Sequence, residues 1–322
     1  MLSLLPLLIG CGMDVNLVKS IDEEVYETDE ETDPDTTEPD TTTDPDDVEE
    51  TPPVEEEQPG EEPEEEPVEE PEEEPVEEAD PAPVDDCDDS SDLIYVLSRD
   101  DGRLYTFDPS TMDFTSLGRV DCGTSQSPGS MAVDRAGTAY VRYNDESVYS
   151  LDLTSMRCSA TGYSDRRTGF GSFGMGYATD SATTWRDQLY VANDRSVGVL
   201  DPATWTLREL GRMPSQSELT GNADGELWAM LPLERIAELR QLDTTSGATL
   251  RTISLPGFPD PSSIDAFAFA TWGGDFYLFV RSYGMGESTD VYRVTAAGAM
   301  TRVLDDVGFD VVGAGVSTCA PA

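Results

Sequence analysis

The chain has 322 residues and a formal net charge of −48, and it contains no histidine. So acidic a chain argues against binding nucleic acid or adsorbing directly to anionic lipid. The missing imidazole removes Ser-His and Cys-His nucleophile pairs and zinc sites that need histidine.

The first twelve residues read MLSLLPLLIGCG. This apolar run is too short to span a bilayer and has the length of a signal h-region. Leu8, Ile9, Gly10 and Cys11 resemble the lipobox of bacterial lipoproteins. The resemblance implies that residues 1–10 are a signal peptide and that the Cys11 thiol carries a diacylglyceryl group. The chain departs from the family in one respect, since no Lys or Arg precedes Cys11. Several acyl chains would anchor it stably, each buried methylene contributing about 0.8 kcal/mol. Gly12 is not the aspartate associated with inner-membrane retention, which points to the outer membrane of a diderm envelope, on its periplasmic side or at the cell surface.

Residues 11–86 read as a tether. Of the 67 acidic residues, 38 lie between Gly12 and Asp92, where Lys19 is the one basic residue. PEEEPVEE is repeated in tandem at 63–70 and 71–78. Such a segment cannot bury enough apolar surface to offset its ordering entropy. Its prolines forbid a continuous helix and its like charges repel. The expectation is a disordered, semi-stiff spacer reaching on the order of 230 Å when fully stretched. Nothing in it fixes a coordination geometry, so no metal is expected there.

From Cys87 to Ala322 the texture changes to short β-rich runs punctuated by Gly, Asp-Pro and Asn-Asp. From Leu93 onward, 29 acidic residues face 18 basic ones, and the segment is long enough for one substantial core. RLYTFDPSTMDFTSL, SVYSLDLTSMRCSAT, SVGVLDPATWTLREL, ELRQLDTTSGATLRT and DVYRVTAAGAMTRVL align on Asp108, Asp152, Asp201, Asp243 and Thr295. The gaps of 44, 49, 42 and 52 residues, with about four strands per period, are the signature of β-propeller blades. A β-sandwich is the competing fold. It accounts neither for the period nor for the chain ends.

The last four copies are each preceded by a further pair of strands, whereas the first begins directly at LIYVLS. The terminal GAGVST, within VVGAGVSTCAPA, supplies the missing leading strand. The expectation is therefore all-β: a five-bladed propeller, residues 87–322, closed by pairing of N- and C-terminal strands. Leading strands line the narrow channel, where Gly174, Gly176, Gly221, Ala268, Ala314 and Gly315 let backbones approach. Trp185, Trp205, Trp228 and Trp272 read as packing between blades.

The cysteines follow from the closure. Cys319 falls just after the last strand and Cys87 six residues before LIYVLS, so a disulfide between them stands where the closing blade lacks a covalent turn. An exported protein makes the bond reasonable. With Cys11 set aside, Cys122 is left to pair with Cys158. Its geometry is the less favourable one, because these two residues are expected toward opposite ends of neighbouring blades.

SMAVDRAG, FGMGYA, ELTGNADGELW, AFATWGGDFYLF and GAGVSTCAP resemble uncharacterised bacterial lipoproteins with an acidic tether and a C-terminal propeller. The resemblance implies location and fold and carries no activity. Two functions remain. One is a monomeric, non-enzymatic binding or scaffold module for an envelope protein or glycan, held to the membrane by its lipid, with no cofactor. The other is a carbohydrate-active enzyme working through carboxylates at the central funnel. Glu218, Asp265 and Asp310, each near the start of a leading strand, are the candidates for ligand binding or for that chemistry. Asp100-Asp101-Gly102 and Asn144-Asp145-Glu146 lack the spaced ligands of a calcium loop and read as hairpin turns.

Overall fold

The computed structural model describes Cys87, residues 92–181 and residues 186–322. The expectations for the signal peptide, Cys11 and the tether lie outside the described residues, as does that for Trp185. Within the described residues, short runs of β-branched and aromatic residues form five antiparallel sheets of four strands. Blade 1 takes β1 (Ile94–Ser98), β2 (Arg103–Asp108) and β3 (Asp113–Arg119). Blade 2 is β4 (Pro128–Val133), β5 (Thr138–Tyr143), β6 (Val148–Asp152) and β7 (Arg157–Ala160). A single helical turn, α1 (Asp165–Thr168), leads to blade 3: β8 (Gly174–Thr179), β9 (Asp187–Ala192), β10 (Ser196–Asp201) and β11 (Thr206–Arg212). Blade 4 is β12 (Glu218–Gly221), β13 (Leu227–Leu231), β14 (Ala237–Leu242) and β15 (Thr249–Leu255). Blade 5 is β16 (Ile264–Trp272), β17 (Asp275–Ser282), β18 (Met285–Val294) and β19 (Met300–Leu304), and the chain ends with β20 (Val311–Gly315).

The last strand belongs to the first blade, whose order is β20-β1-β2-β3. Tyr95 pairs with Gly315, Val96 with Ala314 and Leu97 with Gly313. The innermost strands are neighbours around the ring in the order β20, β4, β8, β12, β16 and back to β20. Burial falls outward from them. Every residue of β8 and β13 is buried, whereas most of β3 and β11 is exposed.

Apolar residues gather between neighbouring blades rather than in one central core. Trp228, Met230 and Leu239 of blade 4 pack on Phe269, Phe276 and Leu278 of blade 5. Ile94, Val96 and Phe107 of blade 1 close on Ala268, Tyr277 and Phe279 of blade 5. Trp205 sits edge-on to Tyr140 and Tyr163 between blades 2 and 3, and Trp228 to Phe276. Both tryptophans are thus blade-to-blade packing, as their pattern suggested. At the channel the backbones touch. A methyl added at Gly174 would lie 2.1 Å from the Ser217 carbonyl oxygen, and one at Gly176 would lie 2.5 Å from that of Leu219.

The repeating aspartates are turn residues. Asp108, Asp152, Asp201 and Asp243 accept backbone N–H bonds from residues two or three further on. In each turn the amide four residues on returns to the aspartate's own carbonyl, from Met112, Met156, Trp205 and Gly247. Those four residues have positive φ, between 56° and 69°. The carboxylates are ionised acceptors held low by these bonds, Asp243 falling to about 2 through the Thr245 and Ser246 hydroxyls. In the fifth copy Thr295 accepts from Ala299 instead, and Gly298 takes the left-handed position one residue earlier.

Both disulfides are present. Cys87 and Cys319 join across 232 residues with their Cα atoms 5.7 Å apart. Cys122 and Cys158 lie 4.9 Å apart by the same measure, which corrects the expectation of poor geometry. Cys122 lies where the chain crosses from β3 to blade 2, and Cys158 is on β7, the outer strand of that blade; both pack against the core between blades 1 and 2. Beside the latch, Arg135 forms a bidentate pair with Asp187 at 2.8 and 2.9 Å, and the Thr318 hydroxyl donates to the same carboxylate at 2.8 Å. Blades 1, 2 and 3 are thereby tied at one end of the channel.

Opening the Cys87–Cys319 loop by Cys319→Ser is expected to cost up to about 5 kcal/mol, as loop-closure entropy scales. In hydrogen exchange followed by mass spectrometry, β20 should become the first segment to lose protection. Unchanged β20 protection in that variant would show that the strand holds without its latch.

Candidate functional site

The blades share one connectivity, so the first residues of the leading strands gather at the end of the channel away from the latch. A cavity of about 370 Å³ opens there. Its wall includes Pro128 and Gly129 of blade 2, Glu218 of blade 4, Asp265 of blade 5 and Val312 of blade 1. Arg99, Arg142, Asn144, Ser172 and Gln216 complete the polar lining.

Of the three carboxyl groups expected at the funnel, Glu218 and Asp265 line this cavity and Asp310 adjoins it through Arg99, in two unlike environments. Asp265 and Asp310 share one cation. Arg99 Nη2 donates to Oδ2 of each, at 2.5 and 2.6 Å. Arg281 Nε lies 3.1 Å from the other oxygen of Asp310, close enough for an ion pair but poorly aligned for a hydrogen bond. The Tyr283 hydroxyl donates to Asp265 at 2.6 Å. The hydrogen bond from Arg99, then that from Tyr283, holds the Asp265 carboxyl below the ordinary carboxylate range. Its bond to Asp265 in turn pushes Arg99 upward. The backbone joins in: Arg99 N–H donates to the Asp310 carbonyl at 2.8 Å, and Asp310 N–H to the Asp100 carboxylate at 2.9 Å. This cluster secures the β1–β20 seam at its cavity end.

Glu218 is buried, with 3% of its surface exposed. Gly174 leaves the space it occupies, since a methyl there would meet its Cδ at 2.9 Å. Its carboxyl passes β8 to reach Ser130 on β4, whose hydroxyl bonds Oε2 at 2.7 Å while accepting from Met175 N–H at 3.2 Å. One side chain thus spans the leading strands of blades 2, 3 and 4. Burial pushes its carboxyl up to about 8, against the opposing pull of Ser130 and of the Arg142 charge. Burial thus favours its neutral, protonated form.

Arg142 is equally buried, at 3% exposure. Its Nε donates to the Phe173 carbonyl at 2.8 Å and its Nη1 to that of Tyr143 at 3.2 Å, and the guanidinium lies 5.9 Å from the Phe173 ring. Among the described residues Nη2 has no hydrogen-bond partner. It lies over the bare face of Gly129, where a methyl would stand 2.3 Å from it. Burial lowers the Arg142 pKa, partly offset by Glu218 and more weakly by Tyr163 and Glu146.

Sequence reasoning missed Arg99, Arg142 and Tyr283. An arginine inside the apolar strand TAYVRY was the available signal for Arg142. Tyr283 had no distinguishing signal among the many tyrosines. It is 66% exposed, on the turn after β17, and sets an aromatic ring beside a carboxylate at the mouth. Asp101 and Asp145 accept N–H bonds two residues on, so both acidic loops are hairpin turns. Among the described residues no cluster of three His, Cys, Asp or Glu is placed to hold a metal ion.

The fold places the described domain among five-bladed β-propellers. No protein-family model and no curated protein matches the chain. Among solved structures, it is similar to a protein of unknown function from Bacteroides caccae. That match has 11% identity and a TM-score of 0.43, and covers 69% of this chain and 97% of the other. A chain of a nidogen/laminin complex matches at 14% identity with a TM-score of 0.42, over 69% of this chain and 97% of its own.

The buried acid has a measurable signature. Burial pushes it up to about 8, above the ordinary glutamate value of 4.5, so folding takes up a proton. This contribution to stability is complete below about pH 4.5, declines as pH rises, and levels off above about 8, a loss of roughly 5 kcal/mol. Glu218→Gln cannot ionise and keeps an acceptor for Ser130. Urea titrations at pH 5, 6.5 and 8 should show wild type weakening relative to Glu218→Gln across the series. Parallel curves for the two proteins would mean that Glu218 is ionised in the folded state.

Proposed function

We propose that the protein is an envelope lipoprotein, anchored through Cys11, that displays its propeller as a non-enzymatic binding module for a glycan or protein. The observation that carries this reading is the state of the funnel carboxylates. Glycoside hydrolysis needs one protonated and one ionised carboxyl free to face each other across the scissile bond. Asp265 and Asp310 instead share Arg99 in ion pairs, rather than facing a second carboxyl across an open gap. Glu218 has the raised pKa of a general acid, but its one hydrogen-bonded oxygen is committed to Ser130, and no free ionised partner faces it in the same cluster. What remains is a rigid cup of fixed donors and acceptors, the construction of a recognition site. The two disulfides fit an oxidising compartment and support the exported reading of the lipobox.

A pull-down from envelope extracts with the full chain as bait should retain a glycan or protein partner. A screen of chromogenic glycosides and polysaccharides should show no turnover. Hydrolysis that disappears in both Glu218→Gln and Asp265→Asn would replace the binding reading by the enzymatic one. The anchor is tested separately by fractionating cells that express the full-length gene with Cys11→Ser. The variant should leave the membrane fraction, and retention there would remove the lipid-anchor assignment.

A further inference from the structure

Among the described residues, the funnel cavity contains a cation without a counter-ion. Arg142 is almost wholly buried and lines the cavity. Two of its nitrogens are spent on backbone carbonyls, and Nη2 is left over Gly129 with no partner among the described residues. A buried guanidinium without a counter-ion is costly, so a site that retains one is built to receive an anion. Glu218, the carboxyl best placed to neutralise it, is held as an uncharged acid by its burial. It can therefore donate to an incoming carboxylate instead of repelling it. The rim does not supply the missing charge either, because Asp265 and Asp310 are already matched by Arg99 and Arg281. Glu146 acts on Arg142 only weakly, from the adjoining hollow.

A second observation names what carries the anion. Tyr283 is exposed, and its hydroxyl is fixed on Asp265 of the cavity wall. A ring held in that way offers a face on which a pyranose can stack. Asp265, Asn144 and Gln216 border the same space with acceptors and donors suited to sugar hydroxyls. The cavity, about 370 Å³, falls within the ordinary range for a small ligand. A peptide is disfavoured, because the mouth presents strand ends rather than a free sheet edge or a groove.

From this geometry we propose that the cup binds the carboxylate of an acidic sugar unit, with Arg142 Nη2 taking the carboxylate and Tyr283 the ring. The proposal rests on the binding reading above and names its ligand class. Titration calorimetry on the full chain with glucuronate, galacturonate and N-acetylneuraminate, against glucose, galactose, acetate and tetraglutamate, tests it. At least one acidic sugar should bind about ten-fold or more tightly than the neutral sugars, as a charge-assisted pair warrants, and more tightly than acetate. Tyr283→Ala, a change at an exposed position, should weaken the acidic sugar several-fold. Arg142→Gln should abolish the preference for the acid. Should that variant fail to fold, Gly129→Ala serves the same purpose, since Gly129 lacks a positive φ and the added methyl displaces Nη2. Acidic sugars that bind no better than neutral ones, acetate that equals them with Tyr283 irrelevant, or tetraglutamate that binds in their place would each overturn the proposal. The binding reading would outlive all three results if the pull-down still retained a partner. Glycoside turnover, conversely, would remove that reading while leaving recognition of the acid intact.

Discussion

Everything in this domain depends on one strand pairing, that of β20 with β1. A propeller has no central core that could hold an incomplete ring together, because its apolar residues lie in the seams between blades. If β20 left, blade 1 would lose its innermost strand, and blades 2 and 5 would each lose the neighbour they pack on at the channel. The pairing is reinforced along its length by different means. At one end the disulfide joins Cys319 to Cys87. In the middle Gly313 and Gly315 let the strand lie directly against Met131 and Val133 of β4. At the other end Arg99 binds Asp310 through both backbone and side chain. The cavity is thus built partly from the clasp that closes the ring.

The architecture could be read from the sequence because its causes are local and repeat. An aspartate before each outer strand, with a left-handed residue four positions later, is a short-range device that recurs in nearly every blade. The missing first strand and the surplus last one are likewise visible by aligning copies. The Cys122–Cys158 geometry was misjudged because it depends on the path of the connection between blades, which no repeat encodes.

The site was legible only in part. Glu218, Asp265 and Asp310 could be placed at one mouth because position within a blade determines the end of the channel. Their partners could not, since each is remote in sequence. Arg99 is 166 residues from Asp265 and 211 from Asp310, and Ser130 is 88 from Glu218. Three similar carboxyl groups on a sequence thereby become one buried group bonded to Ser130 and two that share an arginine.

The place where the chain joins the ring has a mechanical meaning. Cys87 is bonded beside Thr318, at the end of the channel opposite the cup. Tension on the preceding chain would otherwise peel β1 away from β20 one hydrogen bond at a time, the weakest way to load a ladder. With Cys87 clamped to Cys319, the same tension acts on both closing strands at once, and the seam is no longer available for unzipping. The pull and the cup lie at opposite poles of the ring, so a load borne between them runs along the channel axis and is shared among the leading strands.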